Sequence, residues 1–167
     1  MRKHGDRSRR RDSNPLGGRV VDGRLPGGQE GGVDTSQRPA SLGIVILATD
    51  ELARSRSFYA SAFGWPIEVD TSVYVEFRLP AGMRLGLYER EAFGRNVGEV
   101  PRQTLIGTLA ATELYLYPDD IDAAIGRLTA SGSRPLSPRA LRSWGDEVAY
   151  FADPDGNVLA LARPPRD

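Results

Sequence analysis

The sequence predicts an α+β domain of two βαβββ modules, preceded by a disordered N-terminal tail. Three observations support this. Residues 1–40 are rich in glycine and arginine, apolar runs become regular from residue 42 onward, and the order of elements in the first half of the domain returns in the second. We predict a domain over residues 41–164, with a first module at about 42–89, a connector at 90–111 and a second module at about 112–163.

The tail and the domain differ in charge. Residues 1–40 hold nine Lys/Arg against five Asp/Glu and include eight glycines, so they bury too little apolar surface to offset their chain entropy and are expected to be disordered. Residues 41–167 hold thirteen basic and seventeen acidic residues, which disfavours nucleic acid as a partner. No apolar run reaches the length of a membrane span, so we expect no membrane partner.

Three residue types are missing from the predicted domain. The chain has no cysteine, which excludes disulfides, thiolate metal sites and cysteine nucleophiles and favours a cytoplasmic location. Its one histidine, His4, and its one lysine, Lys3, both lie in the tail. The domain therefore has no imidazole for acid–base or metal chemistry and no lysine amine for a Schiff base.

The first module begins with a strand and a helix. Residues 42–48 form an apolar, β-branched run typical of a buried strand. Asp50 is predicted to cap the following helix, and Gly64 to end it, with Pro66 as a stop. A weak strand is expected near residues 67–69.

A hairpin completes the first module. Residues 73–79 alternate apolar and polar, the tripeptide 80–82 is typical of a tight turn, and residues 83–88 alternate again. The connector carries Gly94, Gly98, Pro101 and Gly107, which favour a loop.

The second module repeats this order. Residues 113–117 predict a strand, and either Asp119 or Asp120 caps a helix that closes at Gly132. A weak strand is expected near Leu136, and residues 148–152 and 158–162 predict a hairpin. A shift of 70 residues places Asp50 on Asp120, and two positions of the first strand on the second module, Ile44 on Leu114 and Ile46 on Leu116. A shift of 74 places three strand positions and two turn positions of the first hairpin on the second, which indicates a duplication: Phe77 on Phe151, Leu85 on Leu159, Leu87 on Leu161, Pro80 on Pro154 and Gly82 on Gly156.

The motifs in this order resemble one known family. They are Thr49–Ser55 with Phe58-Tyr59 and Phe63-Gly64-Trp65, then Asp119–Ala124, then Trp144-Gly145-Asp146 with Phe151–Asn157. Together they resemble the glyoxalase/bleomycin-resistance/dioxygenase (vicinal oxygen chelate) superfamily. The resemblance implies that the two modules form a partly open mixed barrel around a central cavity that takes a small-molecule ligand. A homodimer is a further expectation.

The resemblance also implies where a metal would sit. Metal-dependent members hold a divalent ion with His and Glu from the first and last strand of each module, and these positions carry over to Gly43, Gly86, Glu113 and Ala160. Only Glu113 could be a ligand, and one carboxylate is too few for a divalent ion. We therefore expect no metal and no other cofactor.

Strand alternation assigns the side chains that would face the cavity. If Glu113 faces inward, the inner wall carries several tyrosines with acids and arginines, which suits a planar or apolar ligand. Alternatively, Glu113 pairs with Arg84 or Arg78 and the tyrosines only fill the barrel. The candidate ligand-binding residues are Tyr74, Glu76, Arg78, Arg84, Tyr88, Glu113, Tyr115, Tyr117, Trp144 and Tyr150.

Two functions remain open. The first is metal-independent binding of a small organic molecule, oriented by Glu113 and an arginine, for which Arg84 is the candidate. The alternative is an enzyme, a lyase, isomerase or dioxygenase, that uses a divalent metal or Glu113 as a general base. An aromatic, poorly solvated pocket would raise the pKa of Glu113 and suit it to proton abstraction.

Overall fold

The described part of the chain is residues 40–165 of a computed structural model. All of them except Ala40 belong to one compact unit that begins at Ser41. The disorder expected of the tail concerns residues that, apart from Ala40, lie outside the described part. Among residues 40–165, no helix is long and apolar enough to cross a membrane.

The first module forms a four-stranded sheet and one long helix. Its elements are β1 (Val45–Thr49), α1 (Leu52–Phe63), β2 (Ile67–Asp70), β3 (Tyr74–Arg78) and β4 (Arg84–Glu89). The strand order is β1-β4-β3-β2, with β1 parallel to β4 and the other pairs antiparallel. A single 3₁₀ turn, Pro80–Gly82, joins β3 to β4 where the sequence predicts a tight turn.

The connector contains a helix that the sequence analysis misses. Helix α2 (Arg90–Val97) follows β4 directly, and the Glu89 carboxylate caps it by accepting from the backbone N–H of Glu91 and Ala92. The prediction of a loop throughout residues 90–111 is therefore wrong. Gly94 lies inside α2. A Cβ at this position would lie 2.8 Å from the Val100 Cα, so the absence of a side chain permits a close packing contact with Val100.

The second module repeats the architecture of the first. Its elements are β5 (Glu113–Leu116), α3 (Ile121–Ala130), β6 (Arg134–Leu141), β7 (Glu147–Ala152) and β8 (Val158–Arg163), in the sheet order β5-β8-β7-β6. The described strands thus form two open, mixed four-stranded sheets. The predicted α+β fold of two βαβββ modules is confirmed.

Helices α1 and α3 form the centre of a core that is shared by both modules. Phe58, Tyr59 and Ala62 of α1 are buried, as are Ile121, Ala124 and Leu128 of α3, at the three- and four-residue spacing of a helix face. Alternate residues of both sheets pack onto them: Val75, Phe77, Leu85, Leu87, Phe151, Leu159 and Leu161.

The structure shifts the predicted alignment of β1 with β5, the first strand of each module, by one residue. Val45 pairs with Leu85, and Leu114 pairs with Leu159. Since the shift of 74 matches Leu85 with Leu159, Val45 matches Leu114, a shift of 69 rather than 70. Ile46, predicted to match Leu116, instead lies on the opposite face of its sheet and is 39% exposed.

The same correction explains the helix caps. Glu51, not Asp50, is the N-cap residue of α1, and its side chain makes no capping bond. Asp50 accepts hydrogen bonds from Arg90 and Gln103, and the bond from Arg90 is the main cause that lowers the pKa of Asp50. In the second module Asp120 is the cap, accepting from Ala123 N at 3.0 Å, which decides between Asp119 and Asp120.

Candidate functional site

The predicted site residues lie on the sheet faces that point away from α1 and α3, and the two sheets divide them. Because neighbouring residues of a strand point to opposite faces, they alternate with the core residues. The first-sheet group is Tyr74, Glu76, Arg78, Arg84 and Tyr88. The second sheet carries Glu113, Tyr115 and Tyr150, with Tyr117 just after β5 and Trp144 before β7, a surface here called the tyrosine face.

The first-sheet group uses its polar atoms within the chain. Glu76 is only 8% exposed and accepts from the Tyr74 hydroxyl at 2.7 Å and from Arg84 Nη1 at 2.9 Å. Burial, with the bond to Glu76, raises the pKa of Tyr74 to about 12. Arg78 forms an ion pair with Glu68 at 3.2 Å, and the Tyr88 hydroxyl accepts from Asn96. These contacts favour a structural role for this group.

The carried-over metal positions do not supply a ligand set. A Cβ at Gly86 would lie 2.8 Å from the Tyr74 hydroxyl oxygen, so the Tyr74 side chain occupies the space above this position. Ala160 is fully buried beside Tyr115 and Tyr150, and Glu113 is exposed. Within residues 40–165, no three His, Cys, Asp or Glu side chains come together as metal ligands. The residues present do not fit the divalent ion of the metal-dependent family members.

The aromatic side chains of the tyrosine face gather around one carboxylate. Asp146 is 8% exposed, and its Oδ2 accepts from the Tyr115 hydroxyl at 2.7 Å and from the Tyr117 hydroxyl at 3.2 Å. Trp144 Nε1 in turn donates to the Tyr115 hydroxyl at 3.1 Å. Burial raises the pKa of Tyr115 to about 12, and the bond to Asp146 adds to the rise. Both hydroxyls therefore stay protonated near neutral pH, and the rings are held in place.

A second set of contacts on this face surrounds Tyr150. The Arg142 guanidinium carbon lies 5.0 Å from the centre of the Tyr150 ring, within cation–π range. Burial raises the pKa of Tyr150; the negative charge of Glu113 adds to the rise and Arg142 opposes it. Glu113 and Arg142 therefore both act electrostatically on Tyr150.

Arg142 and Asp146 are site residues that the sequence analysis misses. Arg84, predicted as the partner of Glu113, pairs with Glu76, and Arg78, the other suggested partner, pairs with Glu68. The Trp-Gly-Asp motif was the available signal for Asp146, since it places this acid two residues after Trp144. Glu113 is exposed, so the poorly solvated surroundings expected for a general base do not enclose it.

One cavity that adjoins the predicted residues lies where the two modules meet. This junction cleft has a volume of about 600 Å³ and includes only two of the ten predicted residues, Tyr115 and Tyr117. Its principal apolar walls are Phe63, Trp65, Leu79 and Met83. Within the described residues, the junction cleft therefore does not bring the ten predicted residues together.

Comparison with protein families identifies the domain. A model of the "Glyoxalase-like domain" matches residues 42–164, which is nearly all of the described part of the chain. None of the curated proteins matches this chain.

Solved structures show the same fold. A glyoxalase/bleomycin resistance protein/dioxygenase from Nocardioides is 23% identical, with a TM-score of 0.66 over 80% of this chain and 88% of that one. A glyoxalase-related enzyme from Fulvimarina pelagi is 22% identical, with a TM-score of 0.63 over 73% and 86%. A lactoylglutathione lyase from Agrobacterium tumefaciens is 22% identical, with a TM-score of 0.57 over 75% and 94%. Together with the two βαβββ modules, the match over residues 42–164 shows that this chain belongs to the glyoxalase-like domain family of the vicinal oxygen chelate superfamily.

Proposed function

We propose that this protein binds a planar small organic molecule on the tyrosine face, without a metal. The observation that carries the proposal is that Arg142 lies over the Tyr150 ring and Glu113 is close enough to act on its hydroxyl, beside the hydrogen-bonded rings of Tyr115 and Trp144. The first-sheet group contributes to folding rather than to the ligand, because Arg84 already pairs with Glu76, and Arg78 with Glu68.

The chemistry of this face suits a ligand with a hydrogen-bond donor on an aromatic ring. Tyr115 and Tyr117 pack edge to face with ring centres 5.5 Å apart, and rigid rings give contact area at low entropic cost. Glu113 makes no ion pair within the described residues, so its carboxylate is available to a donor on the ligand. A charge-assisted bond of this kind would orient the ring.

Binding is favoured over catalysis because the residues needed for either catalytic alternative are not assembled. The metal route lacks a ligand set, and the Glu113 route lacks desolvation of the carboxylate. The glyoxalase-related enzyme from Fulvimarina pelagi and the lactoylglutathione lyase from Agrobacterium tumefaciens share the fold of this chain. At 22% identity, a shared fold does not transfer their activities to it. We propose a cytoplasmic location, since the chain has no cysteine, and the homodimer remains a prediction.

We expect the protein, purified without chelator, to contain far less than one equivalent of zinc, iron, manganese, nickel or cobalt. The reason is the single carboxylate among the four carried-over positions, where a divalent ion needs about three protein ligands or more. Elemental analysis by mass spectrometry measures this directly. One equivalent of metal that disappears in Glu113→Ala would contradict the proposal and favour the enzyme alternative.

We expect benzamidine, a planar aromatic cation, to bind the tyrosine face. Its amidinium can pair with Glu113 while its ring contacts the tyrosines. The chain has only two tryptophans, so the indole N–H signal of Trp144 in a ¹⁵N NMR spectrum reports this face specifically. Glu113→Gln should weaken benzamidine by about fivefold, the value of an exposed ion pair of about 1 kcal/mol.

Glu68→Gln is the matched control for this titration. It makes the same change at an exposed glutamate that pairs with Arg78 on the first sheet. Unchanged benzamidine affinity is expected for Glu68→Gln. A Trp144 signal that does not move with benzamidine, or equal weakening by both variants, would refute the assignment of this face.

A further inference from the structure

We infer that the junction cleft is a second binding site, which takes a planar aromatic molecule carrying an anionic group. It lies at one end of the paired helices and shares Tyr115 and Tyr117 with the tyrosine face, but neither the family match nor the proposed function assigns the cleft itself. The helix pair α1 and α3 has two ends that the duplication makes equivalent. The first end lies beside the β7–β8 turn, and the second end, which holds the junction cleft, lies beside the β3–β4 turn.

At the first end, polar contacts join the two modules. The Ser55 hydroxyl donates to Asp155, and the Tyr59 hydroxyl donates to Asp153 at 2.8 Å. Both acids lie in the turn between β7 and β8, and both hydroxyls lie on α1. These contacts pull the turn against the helix.

At the second end, the same positions are apolar. The shift of 69 replaces Ser55 and Tyr59 by Ala124 and Leu128, and the shift of 74 replaces Asp153 by Leu79. No hydrogen bond can form between these side chains. The equivalent gap is therefore a cleft of about 600 Å³ with apolar walls.

The connector covers only the first end. Residues 103–108 line the cavity there, and Ala110 N donates to Gly156 O at 2.9 Å. The junction cleft has no lining residue from the connector among the residues described. The connector thus lines the duplicated gap at the first end, where a cavity of about 420 Å³ remains, and does not line the gap at the second end.

The walls of the junction cleft suit a flat aromatic ligand. Phe63 and Trp65 stack with ring centres 4.3 Å apart and planes 10° apart, and both are half-buried. Met83, on the β3–β4 turn, also lines the cleft and has a flexible thioether that adapts to a ring. A volume of about 600 Å³ lies inside the usual range for small-molecule sites, roughly 300–1,000 Å³.

Arg127 gives the cleft its preference for an anion. Its Nε donates to the Ala62 carbonyl at 3.1 Å, which holds the guanidinium at the cleft. Within the described residues no carboxylate lies within 4.0 Å of it, so its charge is not neutralised by an ion pair. Asp119 and Asp120 also line the cleft. Asp120 is engaged as the helix cap and lies seven residues before Arg127, which is about 10 Å along the axis of α3.

The test is a titration of the full chain with naphthalene-2-carboxylate, followed by NMR. The chain has two methionines, so in protein labelled with ¹³C-methyl methionine the Met83 signal reports the cleft and Met1 is a reference. Likewise the Trp65 indole signal reports the cleft. Trp144 Nε1 bonds to Tyr115, which lines both the cleft and the tyrosine face, so the signals specific to the cleft are those of Met83 and Trp65. We expect saturable shifts of Met83 and Trp65.

Two arginine variants and one neutral probe sharpen the result. Arg127→Gln should weaken the carboxylate by about fivefold, whereas Arg127→Lys should retain most of the affinity, because an exposed charge pair contributes about 1 kcal/mol or less. Arg95→Gln, an exposed arginine in the last turn of α2, is the matched control and should change nothing. The uncharged 2-methylnaphthalene should bind more weakly than the carboxylate.

The outcomes separate this inference from the proposed function. Shifts of Trp144 alone would overturn the cleft and leave the tyrosine face intact. If Met83 and Trp65 report the same affinity for naphthalene-2-carboxylate in the wild type and in Arg127→Gln, the anion preference is overturned. A Met83 signal that depends on protein concentration without probe would show that a second copy fills the cleft, which would also overturn the inference.

Discussion

Replacing Asp153 by alanine is expected to lower the free energy of unfolding by about 3 kcal/mol or more, because each buried donor left unsatisfied costs about 1–3 kcal/mol. Asp153 is buried and accepts four hydrogen bonds: from the Tyr59 hydroxyl, from the backbone N–H of Asp155 and Asn157, and from the Asn157 amide. The bond to Tyr59 also joins the β7–β8 turn of the second module to α1 of the first.

Chemical denaturation of the full chain measures this effect. Tyr59→Phe removes only the inter-module bond and should cost about 1 kcal/mol, the net value of one hydrogen bond, although the Asp153 oxygen left behind adds to it. Asp70→Ala removes an exposed acid paired with Arg56 and should change stability by less than about 0.5 kcal/mol. A loss below 1 kcal/mol for Asp153→Ala would show that water replaces its contacts and that the turn does not hold the modules together.

The sequence predicts the elements of both modules because each hairpin has its own local signal. Two alternating runs around a turn with proline and glycine specify β3–β4 and β7–β8, and the structure has both hairpins. The first strand is different. Residues 44–47 are apolar at every position, so the run lacks the alternation that sets which residues face the core. The one-residue slip, and with it the misplaced cap at Asp50, follows from this.

Helix α2 could not be recognised from periodicity because its stability depends on tertiary contacts. It is eight residues long, contains a glycine, and isolated helices of that length are unstable in water. Arg90, its first residue, reaches Asp50 and the carbonyls of Pro101 and Arg102, which anchors the helix to the first module. No pattern in residues 90–111 reveals these partners.

The sequence predicts which face of each strand the candidate residues occupy, but not which arginine pairs with which acid. Alternation correctly separates Tyr115 from Leu114 and Tyr150 from Phe151, since it needs only the strand period. Which arginine meets which acid depends on how strands and loops lie beside one another. Arg84 and Glu76 meet across β4 and β3, and Arg142 comes from the end of β6 to lie over Tyr150. Sequence spacing contains neither fact.

Replacing Gly156 by alanine is expected to be destabilising by roughly 2–5 kcal/mol, from left-handed backbone strain of about 1–2 kcal/mol and a steric clash of about 1–3 kcal/mol. Gly156 has φ +86°, and a Cβ there would lie 2.9 Å from Thr104 Cγ2 and 3.0 Å from the Thr108 carbonyl oxygen. The Thr108 contact is to backbone, so the connector would have to move away from the first end of the helix pair.

The duplication supplies the matched control for this variant. Gly82 occupies the same position of the β3–β4 turn, with φ +83° and no atom within 4 Å of an added Cβ. Gly82→Ala should therefore cost only the backbone strain, about 1–2 kcal/mol. The difference between the two variants in chemical denaturation measures how tightly the connector covers the first end. Equal losses would mean that the connector yields without cost and that the two ends of the helix pair differ less in their covering than the structure indicates.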